Sequence, residues 1–185
     1  MRRLPSRLSI VNVVATAELR QSLDLTKLAF AKGFLYDAAV YRCAYLKDEK
    51  MIGKVSVFST GKMISVGARS LQAARRDLSY TTRRLEEMGL ITHPRIEVKL
   101  QNIVATGELG RHINIESLAS KLPQVIYEPE QFPAAIHYAK ELEGASILIF
   151  ASGKVVFSGL KTQRLLRVAR HVLAELAQKS STGRV

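Results

Sequence analysis

The apolar and polar positions of this chain fall into one pattern, written twice. Residues 10–15 and 100–105 are β-branched and alternating, as half-buried strands are. A helix signal follows each, with Asp24 and Asn114 as N-cap residues at matching positions. Short strands come next, including residues 55–59 and 63–66 in the first copy and 147–151 and 155–158 in the second. Thr60-Gly61 and Ser152-Gly153 lie within each pair, and glycine in a two-residue loop is the usual hairpin signal. A long amphipathic helix closes each copy. Leu71, Ala74, Leu78, Leu85 and Met88 recur at helical spacing in the first, and Leu165, Val168, Ala169, Val172 and Leu176 in the second.

The wording repeats along with the pattern. IVNVVATAELRQSLDLTKLA at residues 10–29 aligns with LQNIVATGELGRHINIESLA at residues 100–119. FSTGKMISVG at 58–67 returns as FASGKVVFSG at 150–159. Two copies are too few and too long for a solenoid and predict a duplicated domain. The copies are drawn at residues 8–92 and 93–179, with a short tail at 180–185.

Helices at these positions cover one face of an antiparallel sheet, and the other face should then be polar. It is not. In ILIF, residues 147–150, both alternating sets are apolar. In VVFS, residues 155–158, Val155 and Phe157 share one face and Val156 and Ser158 the other. Such a face needs a cover, either another protein layer or a ligand. The arginines of the closing helices, Arg75, Arg76, Arg83, Arg84, Arg164, Arg167 and Arg170, mostly face away from the apolar stripe. They are read either as a solvated helix surface or as a binding face.

Charge narrows the choice of cover. The 185 residues carry a formal net charge of +12, which favours a polyanionic partner, most often nucleic acid. Residues 1–92 hold 16 Lys+Arg against 8 Asp+Glu, and residues 93–185 hold 12 against 8. No apolar run reaches the ~18 residues of a membrane span, and MRRLPSRLSI lacks the apolar core of a secretory signal. The one cysteine, Cys43, excludes an internal disulfide framework and a thiolate zinc site, and fits a reducing compartment. His93, His112, His137 and His171 have no metal-ligand spacing. The Gly61-Lys62 and Gly153-Lys154 pairs lack a P-loop's earlier glycine and its following Ser or Thr. GxSxG is absent too, so neither an enzyme, a metal nor a cofactor is expected.

The paired NxVAT strands, the F-x-[ST]-G-K turns and YEPEQFP at 127–133 together resemble the TATA-box-binding protein family, in its archaeal form above all. The resemblance spans about residues 8–178. It implies an α+β saddle, a curved antiparallel sheet with helices on the convex face and DNA under the concave one. It also implies a general transcription initiation factor. Such a factor binds the minor groove at TATA-like boxes, kinks the duplex with aromatic side chains, and recruits transcription factor B and RNA polymerase. By that resemblance Asn12 and Asn102 donate to base acceptors, and Val14 and Val104 press on the groove floor. Phe132 and Phe150 form the intercalating pair, and Leu148, Val156 and Ser158 line the same face. Lys154 and Lys161 meet phosphates. Glu128, Glu130 and Gln131 belong to the loop that docks transcription factor B, and two carboxylates in so basic a chain suit a basic protein better than a phosphate backbone. A nucleoid-associated cytoplasmic place is implied if the source is archaeal, a nuclear one if eukaryotic, and no membrane.

The first copy departs from this wording. Tyr41 stands where the first intercalating phenylalanine belongs, with Arg42 after it. Asp37-Ala38-Ala39 replaces the acidic loop. Phe58 and Lys62 remain, and Arg69 replaces a lysine. Ile64 takes the place of Val156, Ser56 that of an apolar floor residue, and Val66 that of a hydrogen-bonding threonine. Weaker sequence discrimination is expected at the half-site under this copy, offset by its larger positive charge. Two other readings remain open: a divergent paralogue with altered DNA preference, and a protein-interaction domain of the same fold that does not bind DNA.

Overall fold

The computed structural model describes residues 8–180, and the last five residues of the expected tail, 181–185, lie outside them. By contact the chain forms two compact units. Residues 12–101 make one, and residues 102–180 with 8–11 make the other. The repeats follow the wording of the sequence, whereas these units follow contact, and residues 93–101 pack with the first. Gln21 ties that linker down: its side chain donates to the carbonyl of His93 at 3.3 Å and accepts from the amide of Thr92 at 3.2 Å.

The first unit is built on β1 (Ser9–Glu18), β2 (Phe34–Leu35), β3 (Cys43–Leu46), β4 (Lys54–Phe58) and β5 (Lys62–Ala68), with the helix α1 (Leu71–Glu87). The strands run antiparallel in the order β2-β3-β4-β5-β1. The second unit repeats this with β6 (Lys99–Glu108), α2 (Ile115–Ala119), β7 (Val125–Ile126), β8 (Ala134–His137), β9 (Ser146–Phe150), β10 (Lys154–Leu160) and α3 (Gln163–Lys179), in the order β6-β10-β9-β8-β7. Each hairpin strand lies within a residue or two of its expected bounds. The two aromatic ends, Phe58 and Phe150, are the last residues of their strands.

The expected helix after β1 is a correction. Residues Leu25–Leu28 form only a 3-10 turn, whereas the matching segment makes the short α2. The caps account for the difference. Asp24 accepts from the amide of Thr26, two residues on, and from its hydroxyl at 2.5 Å, which closes a tight Asx turn. Asn114 accepts from Ser117, three residues on, the geometry of an α-helical N-cap. The long helices start on caps of the second kind: Ser70 accepts from Ala73 at 3.0 Å and Thr162 from Leu165 at 3.1 Å.

Burial follows the alternation. Along β1 and β6 the same positions are buried and half-buried, residue for residue. The core side of the first unit holds Val13, Ala15, Val55, Val57, Met63, Leu78 and Leu85; that of the second holds Ile103, Ala105, Ile147, Ile149, Phe157, Leu165 and Leu173. One exchange between the two cores is polar for apolar: Ser65 is fully buried where the second unit has Phe157. A buried carboxylate also belongs to the first unit alone. Asp77 on α1 accepts from the amides of Ile52 and Gly53, at 3.2 and 2.7 Å, and fixes the entry to β4.

Candidate nucleic-acid interface

Opposite residues of an antiparallel pair share a face, so the register lays out the uncovered side of each sheet. In the second unit one row runs Ile126, Ile136, Leu148, Val156, Thr106. In the first the matching row runs Leu35, Tyr45, Ser56, Ile64, Thr16. Every member is half-buried or exposed, and outside the short outer strands β2 and β7 their strand neighbours toward the helices are buried. Val14, Val66, Val104 and Ser158 lie on these faces as well, each half-buried. The structure therefore brings the expected floor residues of each copy together. It adds Lys54, Thr16, Ser146 and Thr106, and also Tyr45 and Ile136, which strand wording alone missed because β3 and β8 are only four residues long.

Asn12 and Asn102 are held by the same device. The side-chain oxygen of Asn12 accepts from the amide of Gly67 at 2.8 Å, and that of Asn102 from the amide of Gly159 at 3.0 Å. Both glycines sit where the register of β5 or β10 slips against its neighbour, at φ of +92° and +88°. A bulge with a left-handed residue needs glycine there, and it turns one backbone N–H out of the ladder. A backbone N–H pairs only with an acceptor, so each side chain must offer its carbonyl to the protein and its NH2 group outward. The two donors stand on the uncovered face with no partner among the described residues.

The aromatic residues differ between the copies. Phe132 and Phe150 pack edge to face, ring centres 6.2 Å apart, and Phe132 is 39% exposed. Tyr41 instead packs edge-on against Tyr45 at 5.5 Å, and the Lys54 ammonium lies 5.4 Å from the Tyr45 ring centre. The neighbouring Cys43 thiol pushes the Tyr45 phenol above its usual range. A ladder of two tyrosines and a lysine thus occupies one edge of the first unit's open face.

Lys62, Arg69, Lys154 and Lys161 are all exposed. Lys62 and Lys154 open β5 and β10 directly after the hairpin turns, and Arg69 and Lys161 immediately precede the helix caps. Among the arginines of the closing helices, Arg84 is not a free surface charge. It donates to the carbonyl of Lys32 at 2.9 Å and to the Tyr80 hydroxyl at 3.3 Å, 3.6 Å from the Asp48 carboxylate. Arg164 is paired with Glu143.

The two wedge loops share a fold but not a chemistry. In the second unit the amides of Gln131 and Phe132 both donate to the carbonyl of Glu128 at 2.9 Å, leaving the exposed Glu128, Glu130 and Gln131 side chains outside the turn. In the first unit the amides of Val40 and Tyr41 donate to Asp37, and the Asp37 carboxylate also accepts from Ala39 at 2.9 Å. Its one acid is occupied by the backbone, and Ala38, Ala39 and Val40 after it are apolar.

Among the described residues, no cluster of His, Cys, Asp and Glu is arranged to hold a metal ion, and no helix is long and apolar enough to cross a membrane. A sequence model described as "Transcription factor TFIID (or TATA-binding protein, TBP)" matches residues 7–88 and 97–179. The chain is 42% identical over 164 residues to a TATA-box-binding protein of Cenarchaeum symbiosum, covering 88% of this chain and 89% of that one. It is 34% identical over 174 residues to the one from Pyrococcus furiosus, covering 92% and 90%. The solved structure of Methanococcus jannaschii TBP superposes with a TM-score of 0.81 at 28% identity, covering 94% of this chain and 99% of that one.

Proposed function

The chain belongs to the TATA-binding protein family, and from that premise we propose that it is a general transcription initiation factor that reads promoter DNA through the open sheet faces. The observation that carries the reading is the orientation of Asn12 and Asn102. Each presents amide donors from an otherwise largely apolar face. The minor groove of an A·T run offers acceptors only, adenine N3 and thymine O2, along with its sugar walls. Donors set in an apolar floor match that surface. Val14, Ile64, Val66, Val104, Leu148, Val156 and Ser158 press on the groove floor. Phe132 and Phe150, at a strand end and in its neighbouring loop, wedge a base step apart, and Phe58 with Tyr41 serves the other half-site. Lys62, Arg69, Lys154 and Lys161 meet phosphates and set affinity rather than sequence choice.

The exposed Glu128, Glu130 and Gln131 dock transcription factor B through a basic surface, and RNA polymerase follows through that factor. The matching loop of the first unit offers Ala38, Ala39 and Val40 instead, so recruitment runs through the second unit. The likeness to archaeal relatives supports a nucleoid-associated, cytoplasmic place with the cell's DNA. Selection of bound duplexes from a random pool, with and without transcription factor B, tests the reading. Enrichment of A·T-rich boxes, sharpened by transcription factor B, is the expected outcome. Recovery of unenriched sequence, or binding indifferent to Asn102→Ala and Phe150→Ala, would refute it.

A further inference from the structure

The open face of the first unit differs from that of the second in one chemically specific way. Where Leu148 stands between Ile136 and Val156, the first unit has Ser56 between Tyr45 and Ile64. Both positions are half-buried at the centre of a five-strand row. A leucine there fills space and offers no acceptor. A serine vacates the volume of a branched hydrocarbon and leaves a hydroxyl facing out. The Ser56 hydroxyl makes no hydrogen bond among the described residues, unlike the hydroxyls of Thr81 and Thr82 on the core side, which bond to helix carbonyls at 2.9 Å.

In the minor groove only one group separates G·C from A·T, the guanine N2 amino group, which projects from the floor and donates. Against an apolar floor that group loses its water and gains nothing, which excludes G·C. A pocket with a free hydroxyl acceptor removes both objections. We infer that Ser56 is a specificity-determining residue whose hydroxyl accepts from guanine N2. The half-site under the first unit then admits a G·C pair, while Leu148 bars one under the second. Tyr45, the cross-strand partner of Ser56, has its ring against Tyr41 and the Lys54 ammonium. The inference rests on the minor-groove reading above and adds to it which base pair each half tolerates.

The test uses the full chain and five duplexes: an A·T-only box, the box with one G·C pair in one half, with one in each half, and these last two with inosine for guanine. Inosine lacks only the N2 amino group. Because the chain can choose the orientation that places a single G·C under its first unit, the design does not require the orientation to be known. Wild type is expected to bind the single-G·C box within about threefold of the A·T box. It should lose roughly tenfold or more with one G·C in each half, a loss that inosine abolishes. Ser56→Leu should bind the single-G·C box about tenfold more weakly than its own A·T box, a penalty that inosine abolishes. An unchanged single-G·C affinity in Ser56→Leu, or a full penalty for one G·C in wild type, would overturn the inference while leaving groove binding intact. Failure of the A·T box to bind, or binding that ignores Phe150→Ala, would instead defeat the reading beneath it.

Discussion

Asn102 accepts the amide hydrogen of Gly159 at 3.0 Å, and this single bond decides which end of the asparagine faces out. The bond makes the donor role separable from the structural one. Asn102→Asp keeps an oxygen for Gly159 but replaces the outward NH2 with a carboxylate oxygen, facing base acceptors and phosphates. The expected result is an unchanged melting temperature with at least about a tenfold loss of affinity for an A·T box. Asn12→Asp should behave alike through Gly67. Melting curves beside a gel-shift titration check both halves of the statement.

The phosphate contacts leave a different signature. Alanine at Lys62, Arg69, Lys154 or Lys161 should weaken binding to A·T and scrambled duplexes by the same factor. Each substitution should also lower the slope of log affinity against log salt by about 0.9. Affinities measured across a salt series give the slope directly. A change in the ratio between the two duplexes would mean that the altered residue reads bases.

Much of the fold was legible because duplication lets each copy correct the other. The paired hairpins, the caps at Asp24 and Asn114, and the closing helices follow from period and turn chemistry. The elements missed were the shortest. β3 and β8 have four residues each, too few for alternation to register, so Tyr45 and Ile136 were not placed in the floor rows. The 3-10 turn at Leu25–Leu28 escaped for another reason: Asp24 suits both an N-cap and an Asx turn, and only the bonding partner, Thr26 instead of a residue three on, separates them. Within the candidate site, residue type located the floor asparagines. Their orientation needed the bulge, which no wording announces.

Two buried polar atoms have no hydrogen-bond partner among the described residues, Ser65 Oγ and His137 Nδ1. The other copy has an apolar residue at each position, Phe157 and Leu46, both fully buried. Removing an unsatisfied group without leaving a hole should stabilise. His137→Leu and Ser65→Ala are each expected to add about 1 kcal/mol, or roughly 2–4 °C in Tm for a chain of this size. Calorimetry on the two variants checks it. A fall in Tm would mean that each group has a partner in solution.

Asp77 carries the opposite expectation. Its carboxylate satisfies two backbone amides at the entry to β4, and it is 2% exposed. Asp77→Ala orphans both donors and should cost roughly 2–4 kcal/mol of stability. Since β4 holds Ser56 and Phe58 at the open face, denaturant melts of this variant should be paired with box affinity. Affinity is expected to fall as the strand's entry loosens.

Bending of a short duplex, read by energy transfer between dyes at its two ends, addresses the central claim most directly. Wild type should raise the transfer on an A·T box. Phe150→Ala and Phe132→Ala should bind more weakly and leave the duplex straighter, with Phe58→Ala and Tyr41→Ala having smaller effects, because only the second unit pairs two phenylalanines. A duplex that stays straight under wild type, or bends equally under Phe150→Ala, would contradict the account.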